Sequence, residues 1–142
     1  MVAPPPIGRF APLSQHDSVE ALAGRVKDAF ESADVARIGE LLGDGVRWGA
    51  PDDPAPPCQN RDQVLEWYER GREAGVRAEV FETVARGDKI LVGLKVRGDL
   101  TRRASVPEHD RWQVLTVDRD RVVDIRGFED RGEAARRAGL DA

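Results

Sequence analysis

Apolar residues recur at helical spacing in the first part of the chain. One stripe follows Asp17 and consists of Val19, Leu22, Val26, Ala29 and Phe30. Glu20 lies three residues after Asp17, as in a capping box, so we expect the first helix to open at Asp17. A second, shorter helix is predicted from near Asp34 to the glycine-containing segment 43–45, which should end it.

A third helix is predicted beyond a loop that can form neither helix nor strand. This loop comprises residues 51–57 and contains four prolines. Asn60 and Gln63 make a second capping box, and the helix that follows runs to about Arg72. Before the loop, residues 46–48 read as a short strand.

Two later stretches alternate apolar and polar residues, as antiparallel hairpins do. The first joins residues 78–84 to residues 90–96, and the second lies within 111–128 around the polar turn 118–121. Residues 132–137 can add a last helical turn. Helices with one apolar stripe must pack on one face of such a sheet. The pattern therefore predicts an α+β fold, with a curved antiparallel sheet wrapped around three helices.

Composition narrows the class of protein. The chain has 142 residues, of which 40% are hydrophobic and 34% charged, as in an ordinary soluble domain. We expect an arm at residues 1–16, one domain at 17–138 and a tail at 139–142. The net charge of −4, with both signs interspersed, disfavours a nucleic-acid partner. No apolar run approaches the roughly 20 residues that span a membrane.

Cysteine and histidine usage disfavours a disulfide, a metal site and a cofactor. The single cysteine, Cys58, is suited to a reducing cytoplasm, and prolines near the N-terminus disfavour a secretory signal. His16 and His109 lie far apart and have no metal-ligand spacing. A glycine-rich phosphate-binding motif is also absent from the sequence. We therefore expect no metal and no cofactor.

Five segments, in this order, resemble the nuclear transport factor 2-like superfamily, and within it the SnoaL-like polyketide cyclase group. They are VKDAFESAD (26–34), LLGDGVRW (41–48), RDQVLEWY (61–68), WQVLTV (112–117) and VVDIRGF (122–128). The resemblance covers about residues 17–137. It implies a cone-shaped barrel, similar to the cystatin fold, that commonly forms a homodimer through the outer face of its sheet. It also implies a pocket, which serves steroid isomerases, polyketide cyclases, epoxide hydrolases and members that only bind.

The resemblance also indicates where enzymes of this superfamily carry their reactive groups. The isomerase-type general base falls at Ala50, and the aspartate of the cyclase and epoxide-hydrolase types falls at Gly127. The isomerase-type tyrosine and its acidic partner fall near Val26 and Trp112. None of these four residues carries an acidic group, which disfavours a steroid-isomerase mechanism. Ala50 and Gly127 are expected to line the pocket instead.

Aromatic residues are the main candidates for ligand contacts. Trp48, Trp67 and Trp112 offer flat apolar surfaces to a hydrophobic, cyclic molecule, or they fill the interior as core. Tyr68 donates a hydrogen bond into the pocket, or it plugs the space between helix and sheet. The sequence leaves both interpretations open.

A candidate general base lies at the start of the terminal hairpin. Alternation places Asp110 on one face of its strand, together with Trp112, Val114 and Thr116. We assign this set to the cavity, which makes Asp110 a base whose pKa burial would raise. His109 is a second candidate, and it faces outward with Arg111, Gln113 and Leu115 unless a bulge turns it. The alternative is that both residues are solvated.

Other reactive residues favour structural roles. Asp124 and Arg126 share the outer face of the last strand, where we expect an ion pair. Glu129 lies either at the pocket rim or in solvent. Cys58 has no neighbouring base that would make it a nucleophile. The adhesion-like tripeptide Arg86-Gly-Asp88 is explained by a hairpin turn.

Two functions follow from the sequence. The first is a SnoaL-like protein that binds a small hydrophobic molecule without catalysis, which the missing acids favour. The second is a cofactor-independent enzyme similar to polyketide cyclases or isomerases. Asp110 would be its general base, and Tyr68 or Trp112 would orient an oxygen atom of the substrate. In both cases we expect a cytoplasmic homodimer without nucleic-acid or membrane partners.

Overall fold

The computed structural model describes residues 15–32, 34–97 and 109–140. The described part holds four helices: α1 (Gln15–Ser32), α2 (Val35–Leu41), α3 (Arg61–Glu73) and α4 (Arg131–Arg137). It also holds five strands: β1 (Leu42–Gly49), β2 (Arg77–Arg86), β3 (Lys89–Arg97), β4 (His109–Asp118) and β5 (Arg121–Phe128). Residues 1–14 of the predicted arm and residues 141–142 of the predicted tail lie outside the described residues.

The five strands form one curved, open sheet in the order β1-β5-β4-β3-β2. Neighbours from β2 to β5 pair antiparallel, and β1 pairs with β5 in parallel. The predicted α+β class and cone-like shape are confirmed. The four long strands pair antiparallel, as predicted, and the short strand β1, for which no pairing was predicted, makes the sheet mixed. Three antiparallel strands and a helix separate β1 from β5 in sequence, so the chain is long enough to return in the same direction.

Capping explains where two of the helices begin. Asp34 caps α2, and Asn60 Oδ1 accepts a hydrogen bond from the backbone N–H of Gln63 at 2.9 Å to cap α3. The described part of helix α1 starts at Gln15, so the helix is already formed two residues before Asp17 and the expected start at Asp17 is wrong. Neither proline nor glycine separates these two positions, so nothing in the sequence stops the helix there.

The two predicted hairpins are confirmed by the pairing of β2 with β3 and of β4 with β5. The second turn holds Arg119 and Asp120 at φ values of 53° and 64°, the left-handed pair that a type I′ turn requires. Helix α2 passes directly into β1, so residues 43–45 belong to the strand. These residues do not form a separate helix-ending segment, because pairing with β5 extends the strand back to Leu42.

The sheet carries a buried apolar core on each face. The inner core lies between the sheet and the first three helices and includes Leu22, Ile38, Ile90, Leu115 and Ile125. The outer core lies under α4 and consists of Leu91, Val114, Phe128, Ala134 and Ala138. The last helical turn expected at 132–137 is thus a helix that covers part of the sheet's outer face.

Candidate functional site

A cavity of about 800 Å³ opens between the inner face of the sheet and the helices. Most of its wall is apolar or aromatic, including Phe30, Ile38, Trp48, Trp67, Tyr68 and Leu94. This volume lies within the range of small-molecule sites, about 300–1,000 Å³. Phe30, Ile38 and Leu94 also belong to the inner core, so the cavity adjoins that core.

Aromatic rings from β1 and α3 form one wall of the cavity. Trp48 stacks on Tyr68 with ring centroids 5.0 Å apart, and it meets Trp67 edge-to-face at 6.0 Å. Trp67 is 38% exposed, with the Arg70 guanidinium 5.4 Å from its ring centroid. Both tryptophans therefore line the cavity, and Trp67 does so at its solvent-exposed side.

Trp112 lies outside the cavity, contrary to expectation. Its ring packs against the outer core and meets Phe81 edge-to-face with centroids 6.1 Å apart. The expected grouping of three tryptophans around one pocket is wrong for this residue, because Trp112 points to the opposite face of β4. Ala50 and Gly127, which the resemblance suggested as pocket residues, do line the cavity.

The two faces of β4 are reversed relative to the prediction. His109, Arg111 and Gln113 line the cavity, whereas Asp110 is exposed and forms an ion pair with Lys95 at 3.1 Å. His109 thus needs no bulge to reach the cavity. Alternation correctly predicted which residues share a face, but Val114 and its neighbours meet α4 and not the cavity. The Asp110 side chain therefore does not line the cavity.

Two buried polar atoms at the cavity, on side chains close to each other, lack a well-formed hydrogen bond within the described residues. They are Tyr68 Oη and Gln113 Oε1. Burial raises the pKa of the Tyr68 phenol well above its usual value, and the nearby Gln113 side chain offsets only part of that rise. Tyr68 is therefore a neutral phenol at physiological pH. It can donate a hydrogen bond to a ligand but cannot serve as an anionic base.

Cys58 lies in the cavity wall as a buried thiol. Its backbone pairs with Trp48, with 2.9 Å between Trp48 N and Cys58 O, and its Sγ is 3.8 Å from the Gln63 carbonyl oxygen. Burial raises the pKa of this thiol, so the reactive thiolate is disfavoured. Cys58 therefore contributes to the cavity wall as a neutral thiol.

Arg126 holds the proline-rich loop from the outer side of the sheet. It pairs with Asp124 at 2.9 Å, as expected, and its guanidinium also donates to the carbonyl oxygens of Ala50 and Asp53, each at 2.8 Å. The Asp124 hydrogen bond raises the pKa of Arg126, so this side chain stays charged. Ala50 is part of the cavity rim. The Asp124–Arg126 pair on the outer face of the sheet therefore holds a residue that borders the cavity on the inner face.

Charged side chains at the mouth carry both signs. Glu129 and Glu133 are exposed there, as are Arg72 and Arg77. Within residues 15–32, 34–97 and 109–140, no three His, Cys, Asp or Glu side chains converge into a group that could hold a metal ion. No helix of the described segments has the length and apolar character needed to cross a membrane.

Sequence reasoning missed Arg111 and Gln113 as cavity residues. The signal that could have identified them is the last helical turn, which carries Ala134, Ala135 and Ala138. Small side chains at helical spacing favour close packing on a sheet. Such a helix, placed after β5, could have been assigned to the outer face, which would have left Arg111 and Gln113 on the inner one.

The fold and its cavity define a cone-shaped α+β protein with a small-molecule-sized interior. The SnoaL-like domain family matches residues 23–136, so the chain belongs to that family. The SnoaL-like group of the nuclear transport factor 2-like superfamily, inferred from sequence, is thereby confirmed. None of the curated proteins matches the chain.

Solved structures show the same fold at low sequence identity. Bal32a, from a soil-derived mobile gene cassette, is 18% identical with a TM-score of 0.66, over 81% of this chain and 91% of its own. A candidate SnoaL-like polyketide cyclase from Jannaschia sp. CCS1 is 16% identical with a TM-score of 0.65, over 84% and 90%. An LEH-like epoxide hydrolase from M. tuberculosis is 14% identical with a TM-score of 0.65, over 89% and 96%. At these identities the likeness establishes the fold alone.

Proposed function

We propose that this protein binds a small hydrophobic molecule in the cavity and does not transform it. The observation that carries the proposal is the aromatic wall of Trp48, Trp67 and Tyr68 beside two unpartnered polar atoms. An unpaired buried polar group costs about 1–3 kcal/mol. A ligand that offers an apolar ring system and a hydrogen-bonding group would relieve that cost.

The placement of the acids supports binding without catalysis. Asp110 is paired with Lys95 on the outer face, and among the described residues the acids that line the cavity, Glu129 and Glu133, are exposed at its mouth. A cofactor-independent enzyme similar to the polyketide cyclases is the second candidate. The position of His109 at the cavity favours it, because an imidazole there could take a proton from a bound ketone.

A pair of neighbouring substitutions tests the binding site. Ala78 lines the cavity, and the adjacent Glu79 is exposed. We expect 2-acetylnaphthalene to bind the wild-type protein and the Glu79→Trp variant in titration calorimetry, and to bind Ala78→Trp at least tenfold more weakly. The added indole fills the cavity only in the second variant. Equal binding to all three proteins would place the ligand elsewhere.

The same ketone separates binding from catalysis. A cyclase-like or isomerase-like site would enolise 2-acetylnaphthalene and so exchange its methyl protons in deuterated water, which proton NMR records. We expect no exchange beyond that in buffer. Exchange that requires the protein and is lost in His109→Gln would establish the second candidate and contradict a purely binding role.

We also propose a homodimer through the part of the sheet's outer face that α4 leaves uncovered. Phe81 is 47% exposed there beside Trp112, and an apolar patch of this kind is suited to a second copy. Sedimentation should give a dimer, and a monomer at high micromolar concentration would contradict it. The single, free Cys58 supports placement in the reducing cytoplasm.

A further inference from the structure

Three polar side chains follow one another along the inner face of β4. His109, Arg111 and Gln113 are alternate residues on this strand, and all three line the cavity. Alternate residues of a strand lie about 7 Å apart. The largely apolar interior therefore has a polar stripe that runs from the mouth, at His109, to the buried Gln113.

Arg111 carries an uncompensated charge in this stripe. It is partly buried, and it makes no hydrogen bond or ion pair with any residue that the structure describes. Its guanidinium lies against β5, where a Cβ added to Gly127 would be 3.2 Å from Nη2. Because residue 127 is a glycine without a side chain, the Arg111 guanidinium can occupy the space next to it. By contrast, Arg126 on the opposite face has one carboxylate and two carbonyl partners.

The other two arginines that line the described part of the cavity are exposed and hydrogen-bonded. Arg72 pairs with Glu69 at 3.3 Å, and Arg77 donates to the Arg72 carbonyl oxygen at 3.2 Å. Glu129 and Glu133, the acids at the mouth, are exposed and make no ion pair with Arg111. A partly buried cation without a counter-charge is unfavourable, and an anion beside it removes the penalty.

We propose that the ligand is a hydrophobic monoanion, of the class of aromatic carboxylates, and that Arg111 binds its negative group. The inference rests on the proposed binding function and specifies its ligand. The carboxylate accepts hydrogen bonds from the guanidinium, and the ring system lies against Trp48 and Tyr68. At the far end, a hydroxyl substituent can donate a hydrogen bond to Gln113 Oε1 and accept one from the Tyr68 phenol.

A matched pair of probes isolates the charge. 2-Naphthoate and 2-naphthamide share one ring system and differ in charge, and calorimetry at neutral pH gives the Kd of each. We expect wild-type protein to bind naphthoate about tenfold more tightly than the amide, as a charge-assisted hydrogen bond implies. In Arg111→Met the two Kd values should become equal, mainly because naphthoate binds more weakly, since the variant removes both the charge and the N–H donors that the carboxylate uses. Arg72→Met, which removes an exposed arginine at the mouth, should keep the full preference.

The possible outcomes distinguish anion binding by Arg111 from the proposed binding of a hydrophobic molecule in the cavity. Equal binding of both probes to the wild-type protein, or a naphthoate preference that survives in Arg111→Met, would overturn the anion inference and leave the hydrophobic site in place. Failure of both probes to bind at millimolar concentration would overturn the binding function and this inference together. A preference lost equally in Arg72→Met would assign it to the general charge of the mouth and contradict the role of Arg111.

Discussion

The inner and outer faces of the sheet are both apolar, but they are completed differently. On the inner face, helices α1 to α3 pack over the core, and a cavity with polar groups along β4 lies beside it. On the outer face, the short helix α4 lies directly on the strands through alanines, and ion pairs surround it. The comparison shows that strand alternation predicts which residues lie together. It does not predict which set meets the helices.

The largest expected effect concerns whether the outer face is a true core. Leu91 and Leu115 are both fully buried, one on each face. We expect Leu91→Ala and Leu115→Ala each to lower the free energy of unfolding by about 2–4 kcal/mol, through lost burial and the cavity left behind. Urea denaturation measures both. A Leu91→Ala variant within about 0.5 kcal/mol of wild type, as at a solvated site, would mean that α4 does not close this face.

The next effect tests how the outer face supports the cavity rim. Arg126 is 12% exposed and joins Asp124 to two loop carbonyls, so we expect Arg126→Met to cost about 1.5–3 kcal/mol. Arg137 also contacts the loop, at Asp52 and the Pro51 carbonyl, but is 42% exposed. We expect Arg137→Met to cost less than about 1 kcal/mol. Equal costs in chemical denaturation would show that burial of Arg126 is unimportant.

Only part of the fold could be predicted from the sequence. The helices, both hairpins and the family could be predicted, because capping residues, apolar periodicity and turn residues act locally. The parallel pairing of β1 with β5 and the side of the sheet that α4 covers depend on contacts distant in sequence. The prediction of the candidate site was therefore correct only in part. The residues correctly placed at the cavity are Trp48, Trp67, Ala50, Gly127 and Tyr68. Asp110 and Trp112 were predicted on the inner face but lie on the outer one.

A smaller effect, confined to alkaline pH, probes the inner face. Tyr68 is the only tyrosine, so the ultraviolet absorbance of phenolate reports its ionisation directly. Its folded pKa is raised, so its contribution to stability is full below the unfolded pKa of about 10 and is lost as the pH rises through the folded value. We expect no phenolate signal near pH 10 until the protein unfolds. Tyr68→Phe should lose less stability over this range, and ordinary titration in the folded protein would mean that the phenol is solvated.

The smallest effect is expected at the residue that the sequence favoured as a base. Asp110 and Lys95 form an exposed ion pair, so we expect Asp110→Asn to change the free energy of unfolding by about 0.5 kcal/mol or less. Binding of 2-acetylnaphthalene should also be unchanged. A tenfold loss of affinity in this variant would return Asp110 to the cavity and reverse the assignment of the two faces.

The position of the ligand relative to the sheet can be measured with the protein's own three indole N–H groups. Trp48 and Trp67 line the cavity, and Trp112 lies on the opposite face as an internal control. Their three resonances in a proton–nitrogen NMR spectrum can be assigned with single Trp→Phe variants. On titration with 2-acetylnaphthalene, we expect the Trp48 and Trp67 signals to shift in a saturable way while Trp112 stays fixed. A saturable shift of Trp112 alone, or no shift of any indole at saturating ligand, would contradict binding in the inner cavity.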